Sequence, residues 1–300
     1  MPVLVAASTT DKHALRARYV EEGYLIVRGG LSPREVQALR DETLAICRGG
    51  RGPFEGLVDP DPAEDAARVL ARYLCIHFPH KLSPLMREVL AHPAVVDALT
   101  TVIGPNVKCM QSMLFIKASG KPGQAWHQDE HYIPTRDRSL TGAWIALDDA
   151  TVQNGCLWAI PGSHRRGVLY PQQSSRSTEF DCSAESFRFP YTDEDAVPLE
   201  VQAGDVVVFN GYLLHRSLRN RAPEGLYRRA LVNHFMSAES FLPWFPQEGR
   251  HTANTDVRDI VLVAGEDPHA YRGTEDITRP HLRPSGESGC GSEGEHQGKD

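Results

Sequence analysis

The 300-residue chain lacks several features that mark particular classes of protein. Its 32 Lys and Arg are outnumbered by 39 Asp and Glu, and this excludes the basic footprint of most nucleic-acid-binding proteins. It has no apolar run long enough for a membrane span, and the start MPVLVAASTTDK is too short an apolar stretch for a signal peptide. We therefore predict a cytoplasmic protein that binds neither nucleic acid nor membrane and needs no obligate protein partner.

Cysteine is too sparse for a disulfide framework, and no CxxC pair predicts a zinc site. We expect buried thiols in a reducing compartment. The six cysteines are Cys47, Cys75, Cys109, Cys156, Cys182 and Cys290.

Turn and capping signals predict helices first and a β core afterwards. The capping box Ser32-Pro33-Arg34-Glu35 begins one helix, and a second helical region, 83–102, is broken at His92-Pro93. From Lys108 onward, short apolar runs alternate with Gly, Pro and Asn, as in β-sandwiches and barrels. The predicted strands are Tyr24–Val27, Cys109–Ile116, Ala143–Leu147, Leu157–Ile160, Val206–Phe209 and Arg229–Phe235.

These elements predict one α+β domain, mainly β with flanking helices, over residues 12–272. Its helical part is 12–105 and its jelly-roll core is 106–245, with 165–198 as a long polar excursion. Residues 1–11 are expected to be an N-terminal tail. Residues 273–300 are too polar to bury much apolar surface, and we expect a disordered or loosely attached tail.

The segment WHQDEHY holds the residues with the clearest chemistry. If it is a strand, His127 and Asp129 point to the same face, and His215, which follows a later strand, can join them. Two histidines and one carboxylate form the facial triad that is typical of non-haem Fe(II) enzymes. An HxD pair is weak evidence by itself. His131 is a rival ligand that we expect to be a wall residue, and Gln128 faces the opposite way.

Two arginines, Arg228 and Arg229, begin the last predicted strand. Strand alternation turns one of them inward, where a guanidinium is costly to bury unless a carboxylate meets it. A dicarboxylate cosubstrate would meet it with paired hydrogen bonds. Spacing alone does not choose between the two arginines.

The order of several motifs resembles the phytanoyl-CoA dioxygenase family and, more distantly, ectoine hydroxylase. The resemblance covers roughly residues 15–245, in the stretches MLFIK, WHQDEHYIP, GAWIALDDAT, NGCLWAIPGSH, GDVVVFNGYLLHRS and YRRALVNHF. It implies a double-stranded β-helix (a cupin-like jelly roll) that uses Fe(II), 2-oxoglutarate and O₂. The implied reaction hydroxylates, or otherwise oxidises, a small-molecule substrate and releases succinate and CO₂.

By the same resemblance, His127, Asp129 and His215 would bind Fe(II). Arg228 and Ser217 would hold the distal carboxylate of 2-oxoglutarate. Further cosubstrate contacts would come from Trp144, Met113 and Lys117. Residues near the presumed mouth that could contact substrate are Gln111, which matches a glutamine of ectoine hydroxylase, Arg136 and Arg138.

Some positions depart from the family or have an ordinary structural interpretation. The human phytanoyl enzyme uses a lysine in the helical region, where this chain offers His77 or Lys81. His164 is expected to be a structural loop residue and His234 a satisfied core or wall residue.

Two other functions stay open at this point. One is a cupin-type metal enzyme that does not use 2-oxoglutarate, and the other is a non-catalytic, ligand-binding jelly roll. Within the resembling family, halogenases replace the metal carboxylate with a small residue. The carboxylate of Asp129 is present, so hydroxylation is favoured over chlorination.

Overall fold

The computed structural model describes residues 4–6, 11–58, 61, 63–175, 177–181, 184–240, 260–276 and 278–285. Its helices lie early in the chain and begin at capping residues. Ser32 and Glu35 form the predicted capping box at the start of α2, and His92-Pro93 separates α4 from α5 as predicted. The helices are α1 (Lys12–Glu22), α2 (Pro33–Cys47), α3 (Ala66–Ala71), α4 (Pro84–Leu90) and α5 (Pro93–Val102).

Each of the six strands predicted from short apolar runs is present, and further strands lie between and around them. In chain order they are β1 (Leu4–Ala6), β2 (Tyr24–Arg28), β3 (Tyr73–His77), β4 (Val107–Lys117), β5 (Gln124–His127), β6 (Thr141–Ala146), β7 (Leu157–Ala159), β8 (Gln172–Ser174), β9 (Ala184–Ser186), β10 (Val197–Leu199), β11 (Val206–Asn210), β12 (His215–Ser217), β13 (Arg228–Ser237), β14 (Val261–Ala264) and β15 (His281–Pro284).

Two sheets pack face to face to form the jelly roll. The larger sheet has the order β1-β2-β11-β6-β13-β4-β3-β15, with β14 also paired to β4, and the smaller sheet has the order β10-β7-β12-β5. The strand pairs are antiparallel except for β1 with β2. The predicted mainly β fold with flanking helices is confirmed.

Strand alternation gives the larger sheet two different faces. One face packs against the helices, and β4 places Leu114 and Ile116 in that core. The other, which we call the inner face, looks towards the smaller sheet. There Trp144 and Val232 pack with Leu157 of β7. The inner face and the smaller sheet together enclose the candidate site.

Several segments are more ordered than their composition predicts. The excursion 165–198 contains β8, β9 and β10. The expected N-terminal tail contributes β1 to the larger sheet, and the expected helical part contributes β3 in addition to the predicted β2.

The expectation that 273–300 would not fold was wrong for His281–Pro284, which pair with β3 as strand β15. The physical reason is that Leu282 joins the main core and Arg283 makes a buried ion pair with Asp181. Residues 286–300, which belong to the same expectation, lie outside the described residues.

Cys47, Cys75, Cys109 and Cys156 are buried free thiols, and burial raises the pKa of each to about 12. Cys182 and Cys290 lie outside the described residues. No helix within the described ranges is long and apolar enough to cross a bilayer. The cytoplasmic location stays a prediction.

Candidate active site

Two histidines meet across the smaller sheet. His127 at the end of β5 and His215 at the start of β12 are directly paired in the strand register, and their ring centroids are 4.1 Å apart. His127 Nδ1 lies 2.7 Å from the carbonyl oxygen of Ala125, and His215 Nδ1 lies 3.0 Å from that of Leu213. Each Nδ1 therefore donates to a carbonyl. The Nε2 lone pair of each ring is then available to a metal ion.

Asp129 completes the cluster from a turn and not from a strand. β5 ends at His127, and Asp129–His131 form a short 3-10 turn, so the expected strand geometry of HxD was wrong at this point. The turn is fixed by Gln128, whose amide donates to the carbonyls of Val168 and Tyr212. As expected, Gln128 points away from the cluster.

The carboxylate faces both imidazoles at equal distances. Asp129 Oδ1 is 3.6 Å from Nε2 of His127 and 3.6 Å from Nε2 of His215. These distances are too long for hydrogen bonds. The three ligand atoms all lie within 4.8 Å of one another. Three protein donors of the facial-triad type thus point at one small space, and this donor set fits a non-haem iron ion.

The electrostatics favour the ligand forms of these side chains. Burial, helped by the neighbouring His215, lowers the pKa of His127 to about 4, so its imidazole is neutral at neutral pH. Burial acts in the opposite direction on Asp129, but His215 and His234 outweigh it and hold the pKa of that carboxyl below its usual range. A neutral imidazole and an ionised carboxylate are the states that bind a cation.

A phenyl ring supports the imidazole of His215. The ring centroid of Phe209 on β11 lies 4.8 Å from that of His215. Phe209 has room there because residue 142, its partner on β6, is glycine. A Cβ at Gly142 would lie 2.4 Å from Cζ of Phe209.

Strand β13 turns to opposite faces the two arginines between which spacing alone did not choose. Arg229 turns outward and makes paired hydrogen bonds with Asp148, at 2.8 and 2.7 Å. Arg228 turns inward and is 3% exposed. Its Nε donates to the carbonyl of Gly155 at 3.1 Å, and its Nη1 is buried without a hydrogen-bond partner among the described residues. Burial lowers the pKa of Arg228 to about 10, so it still carries a positive charge at neutral pH.

An unpaired buried guanidinium nitrogen is costly, because its desolvation is not repaid. The described residues provide Arg228 with no carboxylate within ion-pair distance. A ligand carboxylate would supply the missing acceptor, and the distal carboxylate of 2-oxoglutarate fits this need.

Lys117 and Ser217 lie beside Arg228. Lys117 is its direct partner across β13 and β4. Its Nζ donates to Ser217 Oγ at 2.9 Å and to the carbonyl of Leu218 at 2.7 Å, and burial lowers its pKa well below the usual range. Ser217 Oγ also accepts from the N–H of Gln124. Both lone pairs of that hydroxyl are then used, and its proton is left to donate.

Trp144 and Met113 occupy the inner face between the arginine and the metal cluster. Val232 of β13 is the direct partner of both, so the three side chains form one row across the larger sheet. The guanidinium of Arg228 lies 5.5 Å from the ring centroid of Trp144, within the range of a cation–π contact. Trp144 thus contacts Arg228, and Met113 lies farther along the same inner face, beside Val232.

The three predicted substrate residues lie on two separate segments of the chain. Gln111 is partly exposed on the inner side of β4, opposite His234. Arg136 and Arg138 are exposed on the loop after the metal turn, and Arg138 lies over the ring of Tyr212. Their contact with substrate stays a prediction.

The structure separates the two candidates for the family's lysine. His77 lies on β3 opposite Met113, and its ring stacks on His281 of β15 at 4.1 Å. Lys81 points to the C-terminal segment, where Nζ binds Asp276 and Thr278.

The ordinary interpretations of two other histidines hold. His131 is exposed and packs against Tyr132, and His164 Nε2 donates to the carbonyl of Val20 at 3.0 Å.

Sequence reasoning missed one neighbour of the metal cluster. His234, expected to be a core or wall residue, lies with Nε2 3.0 Å from Oδ2 of Asp129. The two residues are 105 positions apart, so no local spacing could reveal the contact. The only signal was a histidine on the inward side of an apolar strand.

The double-stranded β-helix and the His–Asp–His cluster define the class of Fe(II)- and 2-oxoglutarate-dependent oxygenases. The profile of the phytanoyl-CoA dioxygenase (PhyH) family matches residues 19–230, and the chain belongs to this family. The chain is 31% identical to phytanoyl-CoA dioxygenase 1 of Oryza sativa subsp. japonica over 269 residues. This alignment covers 78% of the present chain and 91% of the rice protein. The predicted resemblance is confirmed for this family, while the likeness to ectoine hydroxylase stays a prediction.

Solved structures with the same fold are more distant in sequence. The apo form of the non-haem monooxygenase ThoJ superposes with a TM-score of 0.64 at 20% identity, covering 91% of this chain and 89% of the other. The epimerase SnoN, solved in complex with Fe³⁺, α-ketoglutarate and nogalamycin RO, superposes with a TM-score of 0.58 at 20% identity, covering 90% and 98%. At 20% identity, these superpositions establish the shared fold and no more.

Proposed function

We propose that this oxygenase hydroxylates a small polar molecule, with His127, Asp129 and His215 as the iron ligands and Arg228 as the anchor of 2-oxoglutarate. The observation that carries the proposal is the pairing of a three-donor cluster with a buried arginine whose Nη1 has no partner within the described part of the chain. A metal site alone would suit a cupin-type enzyme. The unpaired cation beside it supports a dicarboxylate cosubstrate.

Each side chain has a separate task in this scheme. Arg228 and the hydroxyl of Ser217 bind the distal carboxylate, and Lys117 orients that hydroxyl by donating a hydrogen bond to its oxygen. Trp144 and Met113 pack against the carbon chain of the cosubstrate and exclude water. When bound, iron with 2-oxoglutarate and O₂ supplies the oxidising chemistry, and succinate and CO₂ are released.

The substrate is proposed to lie over the inner side of β4, near Gln111. The partly exposed amide of Gln111 offers both a donor and an acceptor to a polar molecule. Hydroxylation is supported by Asp129, because the metal keeps its carboxylate ligand. The same fold also carries other reactions, since the similar structure SnoN is an epimerase.

The test is a succinate-release screen with Fe(II), 2-oxoglutarate and panels of small molecules. The substrate is the compound that increases succinate release and is itself recovered with one added oxygen. Iron content after anaerobic reconstitution is measured in parallel for the wild type and His127→Ala. Unchanged iron content in His127→Ala would refute the metal assignment, and iron-loaded protein that never consumes 2-oxoglutarate would refute the proposed reaction.

A further inference from the structure

The second oxygen of Asp129 has a dedicated partner. Oδ1 faces the two metal-directed imidazoles, while Oδ2 accepts a hydrogen bond from Nε2 of His234 at 3.0 Å. His234 is 6% exposed and lies on the inner side of β13. The carboxylate is therefore divided between two tasks, one for each oxygen.

The strands on both sides of His234 are irregular or lack a side chain at the positions that pair with it. On one side its partner on β6 is Gly142, which has no side chain. On the other side its partner on β4 is Gln111, and the register shifts directly after this pair, so that Phe235 pairs with Cys109 and Met110 is the extra residue. Such β-bulges locally re-aim side chains and are common beside active sites.

The polar contact of His234 is directed at Asp129 alone within the described part of the chain. Its other ring nitrogen, Nδ1, is buried and has no hydrogen-bond partner among the described residues. A histidine that only filled a core position would be an expensive choice there, because an apolar ring would leave no polar atom unpaired. The arrangement is better explained by the one contact that it makes.

We infer that His234 is a positioning residue that keeps Asp129 a one-oxygen ligand of the metal. A carboxylate that rotated to turn both oxygens to the ion would move Oδ2 away from Nε2 of His234 and weaken a buried hydrogen bond, which is costly. Holding Oδ2 back preserves an open metal position for cosubstrate and O₂. The inference rests on the proposed iron site and deepens it.

The test uses three variants and a metal that does not turn over. His234→Gln keeps an N–H donor at a comparable distance from the backbone, His234→Asn keeps the amide but is too short, and His234→Phe keeps the ring without a donor. His131→Phe is the matched control, because the ring of His131 is exposed on the turn that carries Asp129 and makes no described side-chain contact with Asp129. Mn(II) replaces iron, and its water ligands are counted from EPR line broadening in oxygen-17-labelled water.

We expect the wild type, His234→Gln and His131→Phe to show the same number of water ligands. His234→Phe and His234→Asn should show one fewer, and they should bind 2-oxoglutarate about 10- to 100-fold more weakly in the presence of Mn(II). A His234→Phe protein that kept the wild-type water count and 2-oxoglutarate affinity would overturn the inference. If His234→Phe does not unfold cooperatively, the comparison of Gln with Asn decides in the same way.

The two proposals fail in different ways. Wild-type protein that binds no Mn(II), or whose Mn(II) is unaffected by His127→Ala, contradicts the proposed metal site itself. Wild-type protein that binds Mn(II) and 2-oxoglutarate normally, with variants at position 234 that behave identically, contradicts only the role of His234.

Discussion

Arg228 and Arg229 are adjacent in the sequence and point to opposite faces of β13. Arg229 is satisfied by Asp148 through two hydrogen bonds, while Arg228 is buried with Nη1 unpaired among the described residues. One is a structural ion pair and the other is a donor that needs a ligand. This difference provides a matched pair of variants.

We expect Arg228→Met to weaken 2-oxoglutarate binding about 30-fold or more, because truncating one partner of a buried charge pair costs about 2–5 kcal/mol. Iron content should not change. Arg229→Met should instead lower the free energy of unfolding by about 1–3 kcal/mol, with 2-oxoglutarate affinity unchanged. Cosubstrate titrations and denaturant unfolding of both variants measure this. Equal losses of affinity in the two variants would contradict the assignment.

Gly142→Ala tests the support of His215. The added methyl group would lie 2.4 Å from the buried ring of Phe209, which packs against the His215 imidazole. We expect a destabilisation of about 1–3 kcal/mol from overpacking, together with weaker metal binding. The double variant Gly142→Ala/Phe209→Leu makes room for the methyl group and should recover part of the stability. Metal affinity and unfolding curves give the result, and normal metal affinity in Gly142→Ala would argue against this support.

Leu282 tests the attachment of the C-terminal strand. Its side chain is 2% exposed and belongs to the main core, so Leu282→Ala should cost about 2–5 kcal/mol. The matched control is Leu262→Ala on β14, where the side chain is 44% exposed and the change should be within about 0.5 kcal/mol. Denaturant unfolding compares them. Equal small effects would mean that β15 contributes little to the fold.

The buried imidazole of His77 should make the folded protein less stable in acid. Burial, with His281 and Arg283 nearby, lowers the pKa of folded His77 to about 3, whereas an unfolded histidine titrates near 6.5. Between these values the unfolded chain binds the extra proton. Stability is therefore fully present above pH 6.5 and falls as the pH drops below it, by about 1–2 kcal/mol at pH 5.

The measurement is the difference in unfolding free energy between wild type and His77→Gln at pH 7 and pH 5. The other titrating groups are common to both proteins and largely cancel. We expect the wild type to lose about 1–2 kcal/mol more than His77→Gln. The substitution of exposed His13 by Gln serves as the control. A difference that does not change with pH would show that His77 is protonated as easily in the folded protein.

Most of the fold follows from local signals in the sequence. Turn residues and apolar runs predict the central strands, and the Ser32 capping box predicts α2 to within a residue or two. The strand at 281–284 could not be predicted in the same way. Its segment is polar overall, and it folds because the existing edge of β3 supplies hydrogen bonds and a place for Leu282.

The candidate site shows the same limit. The HxD pair is visible in the sequence, but the turn that carries Asp129 depends on contacts of Gln128 with the carbonyls of Val168 and Tyr212. Strand alternation predicts that one arginine faces inward without choosing between them; the family resemblance indicates Arg228, and in the register of β13 Arg228 is the one that lies on the inner face. The contact between His234 and Asp129 joins distant segments, so only the packed structure can show it.

The two candidate histidine ligands and the anchoring arginine belong to different sheets, while Ser217, the other proposed carboxylate contact, lies on β12 of the smaller sheet. His127 and His215 lie on the smaller sheet, and Arg228 and Lys117 lie on the larger one. A keto-diacid that bound both the metal and Arg228 would link the two sheets of the jelly roll. Metal and cosubstrate together should therefore raise the melting temperature by more than the sum of their separate effects. In the protein without metal and cosubstrate, the contacts between the two sheets should be the first to be lost on heating.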